Sequence, residues 1–380
     1  MGLVGTDERL ESNFTVEFAQ GILVPILSVA LAVVIGGIVI LVTGGNPLDA
    51  YSQLVQGAFG GAYNISETLV SAIPLMLTGM AVAFAFRTGL FNIGAEGQLY
   101  MGAIISSWVG FSFNYPPIVL IPLGLLAGAA GGALWGGIAG TLKAWRGAHE
   151  VITTMMLNYV AILLSHFLIE PSPSGKFGPF QQPNSLGEPV ARAVNAHLPV
   201  IVPSALVPNA RLSAALIVAL ACGVLFWFVL WRTSIGYKLR AVGLNPRAAE
   251  YAGINVGWAT ILAMLIAGAL AGLGGMVTIY GLAPYRLTDT FSPGYGFEAI
   301  AVALLGKNTA TGAILAAVLF GAIEHGSLIM QTNSGVSYHL TEVLEGLIIF
   351  FIGADALVRW LAGRGVVNLP LWQRKKEAAA

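Results

Sequence analysis

Charge is what this sequence has least of. Asp, Glu, Lys and Arg make up 9% of its 380 residues, against roughly 25% in soluble domains. So few charges cannot coat the surface of a folded soluble chain of this length. Cysteine is nearly missing too: Cys222 stands alone, inside an apolar run, so neither an intrachain disulfide nor a cysteine metal cluster can form. The formal net charge is +0, which leaves no basic excess for a nucleic-acid partner. Catalytic signatures are absent as well. No GxxxxGK[ST] phosphate cradle occurs; the Gly306–Lys307 pair is followed by Asn308 and has no glycine five residues upstream. HExxH and GxSxG are also missing.

What is present is apolar length: 56% of residues are hydrophobic. Stretches of about 20 such residues recur, each long enough to cross a bilayer. The pattern predicts an all-α polytopic bundle of ten spans, near 21–43, 66–86, 97–113, 117–141, 150–169, 211–231, 258–281, 293–306, 309–330 and 340–361. The third and eighth are short. Residues 1–20 and 362–380 would be cytoplasmic tails flanking a membrane domain over 21–361. The N-terminus does not read as a signal peptide, because its apolar run is too long and acidic residues precede it.

The positive-inside rule tests this layout. With both termini inside, 14 of the 18 Lys and Arg residues lie on the cytoplasmic side. Lys176, Arg192, Arg211 and Arg286 lie outside. An outer loop from about 170 to 210 holds eight of the 18 prolines and cannot be one long helix. An inner loop from about 232 to 257 is basic and carries one short helix signal. The fourth span has Gly124, Gly128, Gly132, Gly136 and Gly140 on one helix face, a surface that admits a neighbouring backbone.

Two stretches break the apolar pattern. The first is RTGLFNIGAEGQLYMGA, Arg87 to Ala103. Its clustered glycines weaken a helix, by about 1 kcal/mol each relative to alanine. An interrupted helix at membrane depth must be buried in protein or beside water, and such breaks form solute sites in transporters. Asn92, Glu96 and Gln98 are then candidates for the substrate path; the plainer reading is a cytoplasmic turn. The second stretch is GLNPRAAEYAGI, Gly243 to Ile254. Asn245 suits an N-cap and Pro246 the first helical position, while Gly253 suits the stop. A short capped helix with small Ala248, Ala249 and Ala252 is either a docking knob or a loop helix without a partner.

Polar residues inside spans complete the candidates. A charge at membrane depth costs about 2.5–3.5 kcal/mol, so Asn158, Glu298, Glu324 and His325 should face the bundle interior or water. The last two serve equally as an interhelical hydrogen bond or a solute contact. Phe84, Phe86, Phe91 and Tyr100 surround the first motif and offer flat faces to a nucleobase.

Together the two stretches, with GFEAIAVALLGKNTATGAI (Gly296 to Ile314), resemble the permease subunits of ATP-binding-cassette importers for simple sugars, nucleosides and branched-chain amino acids. FNIGAEGQ is similar to the nucleoside-type branch. The resemblance covers roughly residues 65 to 355. It implies that Gly243, Asn245, Pro246, Ala248, Ala249 and Gly253 form a coupling helix docked on a separate ATPase subunit. It places Asn92, Glu96 and Gln98 at a broken helix beside the translocation path, to which Asn158, Glu298 and Glu324 are added as candidates by their polarity within spans. It also implies a second permease subunit, an extracytoplasmic solute-binding lipoprotein, and a bacterial or archaeal plasma membrane. This chain itself would bind no cofactor; ATP and Mg²⁺ would sit on the ATPase. Nucleosides are the expected solute. The competing readings are a ribose-like sugar permease and an ion-coupled carrier using Glu298, Glu324 and His325.

Overall fold

A computed structural model describes residues 26–169, 179–181, 191–203, 205–288, 291–337 and 339–353. The two tails and much of the Pro-rich outer loop lie outside them. Among the described residues the secondary structure is helical, save two isolated bridges, Gln181 with Ala191 and Val200 with Ser213. In chain order the helices are α1 (Ile26–Val42), α2 (Pro47–Phe59), α3 (Ala62–Arg87), α4 (Ala95–Ser112), α5 (Pro117–Arg146), α6 (Glu150–Ile169), α7 (Ala215–Arg232), α8 (Ser234–Leu244), α9 (Pro246–Tyr251), α10 (Val256–Gly281), α11 (Tyr295–Leu305), α12 (Ala310–Ser334) and α13 (His339–Gly353).

The chain divides into two compact units, Met1–Ala50 with Ser334–Ala380, and Tyr51–Asn333. In the first unit, α1 ends in a turn where Gly45 sits against the side chains of Ile40 and Val336. On α13, His339 lies 3.3 Å from Glu342 at the surface.

The second unit holds the rest. Six helices, α3, α5, α6, α7, α10 and α12, are long and apolar enough to cross a membrane. Of the ten expected spans, six meet that length among the described residues. The 11 residues of α11 reach only about 16 Å at 1.5 Å per residue, so α11 does not cross a 30 Å hydrocarbon layer alone. Two helices lie where the sequence suggested loop. Pro47 opens α2, and the Leu48 N–H donates to Asn46 Oδ1 at 3.1 Å. The inner loop holds two helices instead of one: α8 starts where Thr233 Oγ1 accepts from the Gly236 N–H at 3.0 Å.

The glycine face of α5 determines the core packing. A Cβ on Gly132 would lie 2.1 Å from the Gly268 carbonyl oxygen, and one on Gly272 would lie 2.2 Å from the Gly128 oxygen. No side chain separates α5 from α10 there. Gly124 and Gly140 meet Tyr280 and Met264 on the same partner. Gly102 of α4 meets Gly272, so three backbones converge. The opposite surfaces are apolar and bare. Leu126 and Leu134 on α5, Leu163 and Phe167 on α6 and Val224 on α7 are all exposed. An apolar belt of this extent suits lipid, not water.

Candidate functional site

The chain between α3 and α4 is where the apolar pattern fails, and the structure shows what the polar residues there do. α3 ends at Arg87, Gly89 turns with φ +75°, and α4 restarts at Ala95. Backbone polar groups freed by the break need partners inside a dry bundle. Asn92 and Gln98 supply them reciprocally: Asn92 Nδ2 donates to Gln98 Oε1 at 3.0 Å and Gln98 Nε2 donates to Asn92 Oδ1 at 3.1 Å. The Gly94 N–H donates to Asn92 Oδ1 as well, at 3.0 Å. Asn158 reaches across from α6. Its Oδ1 accepts from the Gly97 N–H at 2.8 Å, and its Nδ2 donates to the Ile93 oxygen at 2.9 Å.

Glu96 ties the same break to another helix. Its Oε2 accepts from the Gly296 N–H at 2.6 Å and its Oε1 from Ser292 Oγ at 2.7 Å. The carboxyl group therefore caps the N-terminus of α11, where the first backbone N–H groups have no intrahelical partner. Asn92, Glu96, Gln98 and Asn158 are all buried; the Asn92–Gln98 pair, Asn158 on the Ile93 and Gly97 backbone, and Glu96 on Ser292 and Gly296 lock the break from three sides. Glu298 lies two residues past Gly296 on α11. Glu324, on α12, accepts a hydrogen bond from the Tyr295 side chain and lies within electrostatic range of Glu298. Its Oε2 is buried without a hydrogen-bond partner. Of the six sequence candidates, Glu96 binds the start of α11, Glu298 lies on it and Glu324 meets it from α12, while Asn92, Gln98 and Asn158 brace the break itself. Of the aromatic candidates, Tyr100 meets Phe291 edge-on at 4.7 Å, Phe86 pairs with Phe91, and Phe84 packs on Phe226.

One pair escaped the sequence reading. Glu67 on α3 is buried and forms an ion pair with Arg211, just before α7. That pair holds Arg211 charged, its pKa raised above the ordinary value by the bond to Glu67. Beside it, His325 Nε2 is buried without a hydrogen-bond partner. Glu67 was hidden because one carboxylate near a span end reads as interfacial.

On the other side of the break lies the short helix. Asn245 Oδ1 accepts from the Ala248 N–H at 3.1 Å, Pro246 occupies the first turn, and Gly253 follows with φ +80°. The capped helix read from the sequence is therefore present as α9. Its faces need correction. Ala249 is buried at 4% exposure, so it packs inward and presents nothing to a partner. The outward groups include Ala248, Leu244 and Tyr251, the last two 88% and 95% exposed. Gly243, at the end of α8, touches the α3–α4 turn: a Cβ placed on Gly89 would lie 2.9 Å from its Cα.

Residues 64–353 match the family described as branched-chain amino acid transport system / permease component. The guanosine ABC transporter permease protein NupP of Bacillus subtilis is 39% identical over 346 residues, covering 90% of this chain and 96% of that protein. The nucleoside ABC transporter permease protein NupB of Lactococcus lactis is 38% identical, covering 89% and 92%. The glucose ABC transporter permease protein TsgB13 of Haloferax volcanii is 35% identical, covering 86% of each chain. No solved structure matches this chain.

Proposed function

We propose that nucleosides are the solute moved by this chain, which belongs to the branched-chain amino acid transport system / permease component family. It is a permease subunit of an ATP-binding-cassette transporter. The observation that carries the solute assignment is the identity of 39% and 38% to two permeases named for guanosine and nucleosides, each spanning about nine-tenths of both chains.

The site chemistry is compatible with that solute. A nucleoside is uncharged, with sugar hydroxyls that donate hydrogen bonds and a base that stacks. Glu298 and Glu324 offer acceptors, and the Tyr100–Phe291 pair offers aromatic surface near the Glu96 lock. In this reading α9 docks on an ATPase subunit through Ala248 and Tyr251, joined by Leu244 from the end of α8. Gly243, Asn245, Pro246, Ala249 and Gly253 shape and seat that helix. ATP and Mg²⁺ act on the ATPase, and its closure moves α9. A second permease subunit completes the path, and an extracytoplasmic lipoprotein delivers solute from outside. Both termini face the cytoplasm of a bacterial or archaeal plasma membrane, in keeping with the distribution of basic residues.

A simple sugar is the second reading, favoured by the 35% identity to a permease named for glucose. Family membership displaces the ion-coupled carrier. Uptake of radiolabelled guanosine, ribose and glucose by the reconstituted complex decides among solutes. Guanosine uptake that requires ATP is expected; uptake of a sugar without any nucleoside would overturn the assignment.

A further inference from the structure

The structure holds α11 at both ends from one short segment of chain. At its N-terminus, Glu96 binds the Gly296 N–H and Ser292 Oγ. Just past its C-terminus, Lys307 and Asn308 adopt left-handed backbone, φ 52° and 54°, uncommon for residues with side chains. The carbonyls of these two residues meet Arg87: its Nε donates to the Asn308 oxygen at 2.8 Å and its Nη2 to the Lys307 oxygen at 3.0 Å. Arg87 and Glu96 bracket the α3–α4 break, whose interior is braced by the Asn92–Gln98 pair. In the same segment, Gly89 and Gly243 meet with no side chain between them, and two residues after Gly243 the chain caps α9.

We infer that Arg87 and Glu96 are positioning residues that clamp α11 at its two ends and make it the element displaced when α9 moves. The inference rests on α9 being the helix that docks on the ATPase. Each link in the series is stiff. A Gly–Gly backbone contact has no rotamers to absorb displacement, and close-packed interiors transmit strain. The bonds from Arg87 are charge-assisted and reach two carbonyls from one planar group. α11 is short and carries Glu298, so shifting it shifts a candidate solute contact. The docking helix thereby acts on the path through residues 87–96.

The test uses the full complex in lipid nanodiscs. Spin labels replace Phe297 on α11 and Leu134 on α5, both exposed, in a Cys222→Ser background. The label separation should change between the nucleotide-free and ATP-trapped states. In Arg87→Gln the change should vanish and uptake should fall about tenfold, the scale of losing one charge-assisted hydrogen bond, while ATP hydrolysis continues. Arg87→Lys, which keeps the charge but loses the two-carbonyl fork, should behave in the same direction. An unaltered separation change in both variants overturns the inference, as does an α11 that stays still in the parent complex. Failure of both variants to assemble makes Arg87 merely structural and also overturns it. A parent chain that activates no ATPase would instead sink the functional reading beneath it.

Discussion

Gly89 and Gly243 touch backbone to backbone. A Cβ on Gly243 would lie 2.7 Å from the Arg87 oxygen and 2.8 Å from the Thr88 carbonyl carbon, so neither residue has room for a methyl. Gly243→Ala should therefore push α8 off the α3–α4 turn. The expected result is normal membrane insertion with uptake reduced at least about tenfold, a cost near 1.4 kcal/mol, read in proteoliposomes. Gly89→Ala should be worse, since its left-handed backbone adds about 1–2 kcal/mol of strain. Normal uptake by Gly243→Ala would show that the contact yields.

Glu96→Ala leaves the Gly296 N–H and Ser292 Oγ without their acceptor. Each buried donor left unpaired costs about 1–3 kcal/mol. The variant should unfold at lower temperature in detergent, and Glu96→Gln, which keeps one acceptor oxygen, should recover part of the loss. Equal melting of the two variants would argue that the carboxylate does not hold α11.

Arg211→Ala leaves the Glu67 carboxylate buried without its ion-pair partner, and Glu67→Gln does not. Breaking a buried pair from one side costs about 3–5 kcal/mol, less here because Arg211 is half exposed, its side chain at 56%. Arg211→Ala should destabilise more than Glu67→Gln in a thermal-shift assay. The pH dependence has a defined sign. The pKa of Arg211 is raised, so its share of the stability is fully present below the ordinary arginine value and is lost only as pH rises beyond it. Titrating the parent between pH 6 and about 9 should leave the arginine contribution intact.

Tyr251→Ala removes a side chain that touches almost nothing within the chain. Exposed aromatics of this kind anchor interfaces, where truncation typically costs 2 kcal/mol or more, about thirtyfold in affinity. Melting of the isolated chain should not change, while binding of the ATPase subunit, measured by pull-down titration, should weaken. Ala249→Arg is the contrast. It inserts a charge at a buried position and should destabilise the chain itself.

Much of this arrangement was legible in the sequence where a local rule governs it. Asn245, Pro246 and Gly253 specify α9 by capping chemistry alone, and five glycines spaced four residues apart specify a face for close packing. The same Asn-Pro signal stands at Asn46–Pro47, where it opens α2; it was overlooked because an apolar run preceded it. The identity of the packing partner was not legible. Gly268 and Gly272 meet Gly132 and Gly128 across more than 130 residues of chain, and only tertiary structure makes that pairing. Asn92, Gln98 and Asn158 looked like solute contacts because polar residues in a membrane demand an explanation. The structure shows Asn92 and Gln98 bonded to each other and Asn158 bonded to the broken backbone, a demand of equal strength that spacing cannot distinguish. Ala249 was placed on the docking face since a six-residue helix has too few residues for its buried side to show as a period.

Where α5 and α10 lie against each other at Gly128, Gly132, Gly268 and Gly272, main chain rests on main chain. Sliding there would need carbonyls to climb over Cα atoms, without side chains to swing aside. That seam is consequently a stiff joint, a fixed reference against which the displacement of α11 can be read.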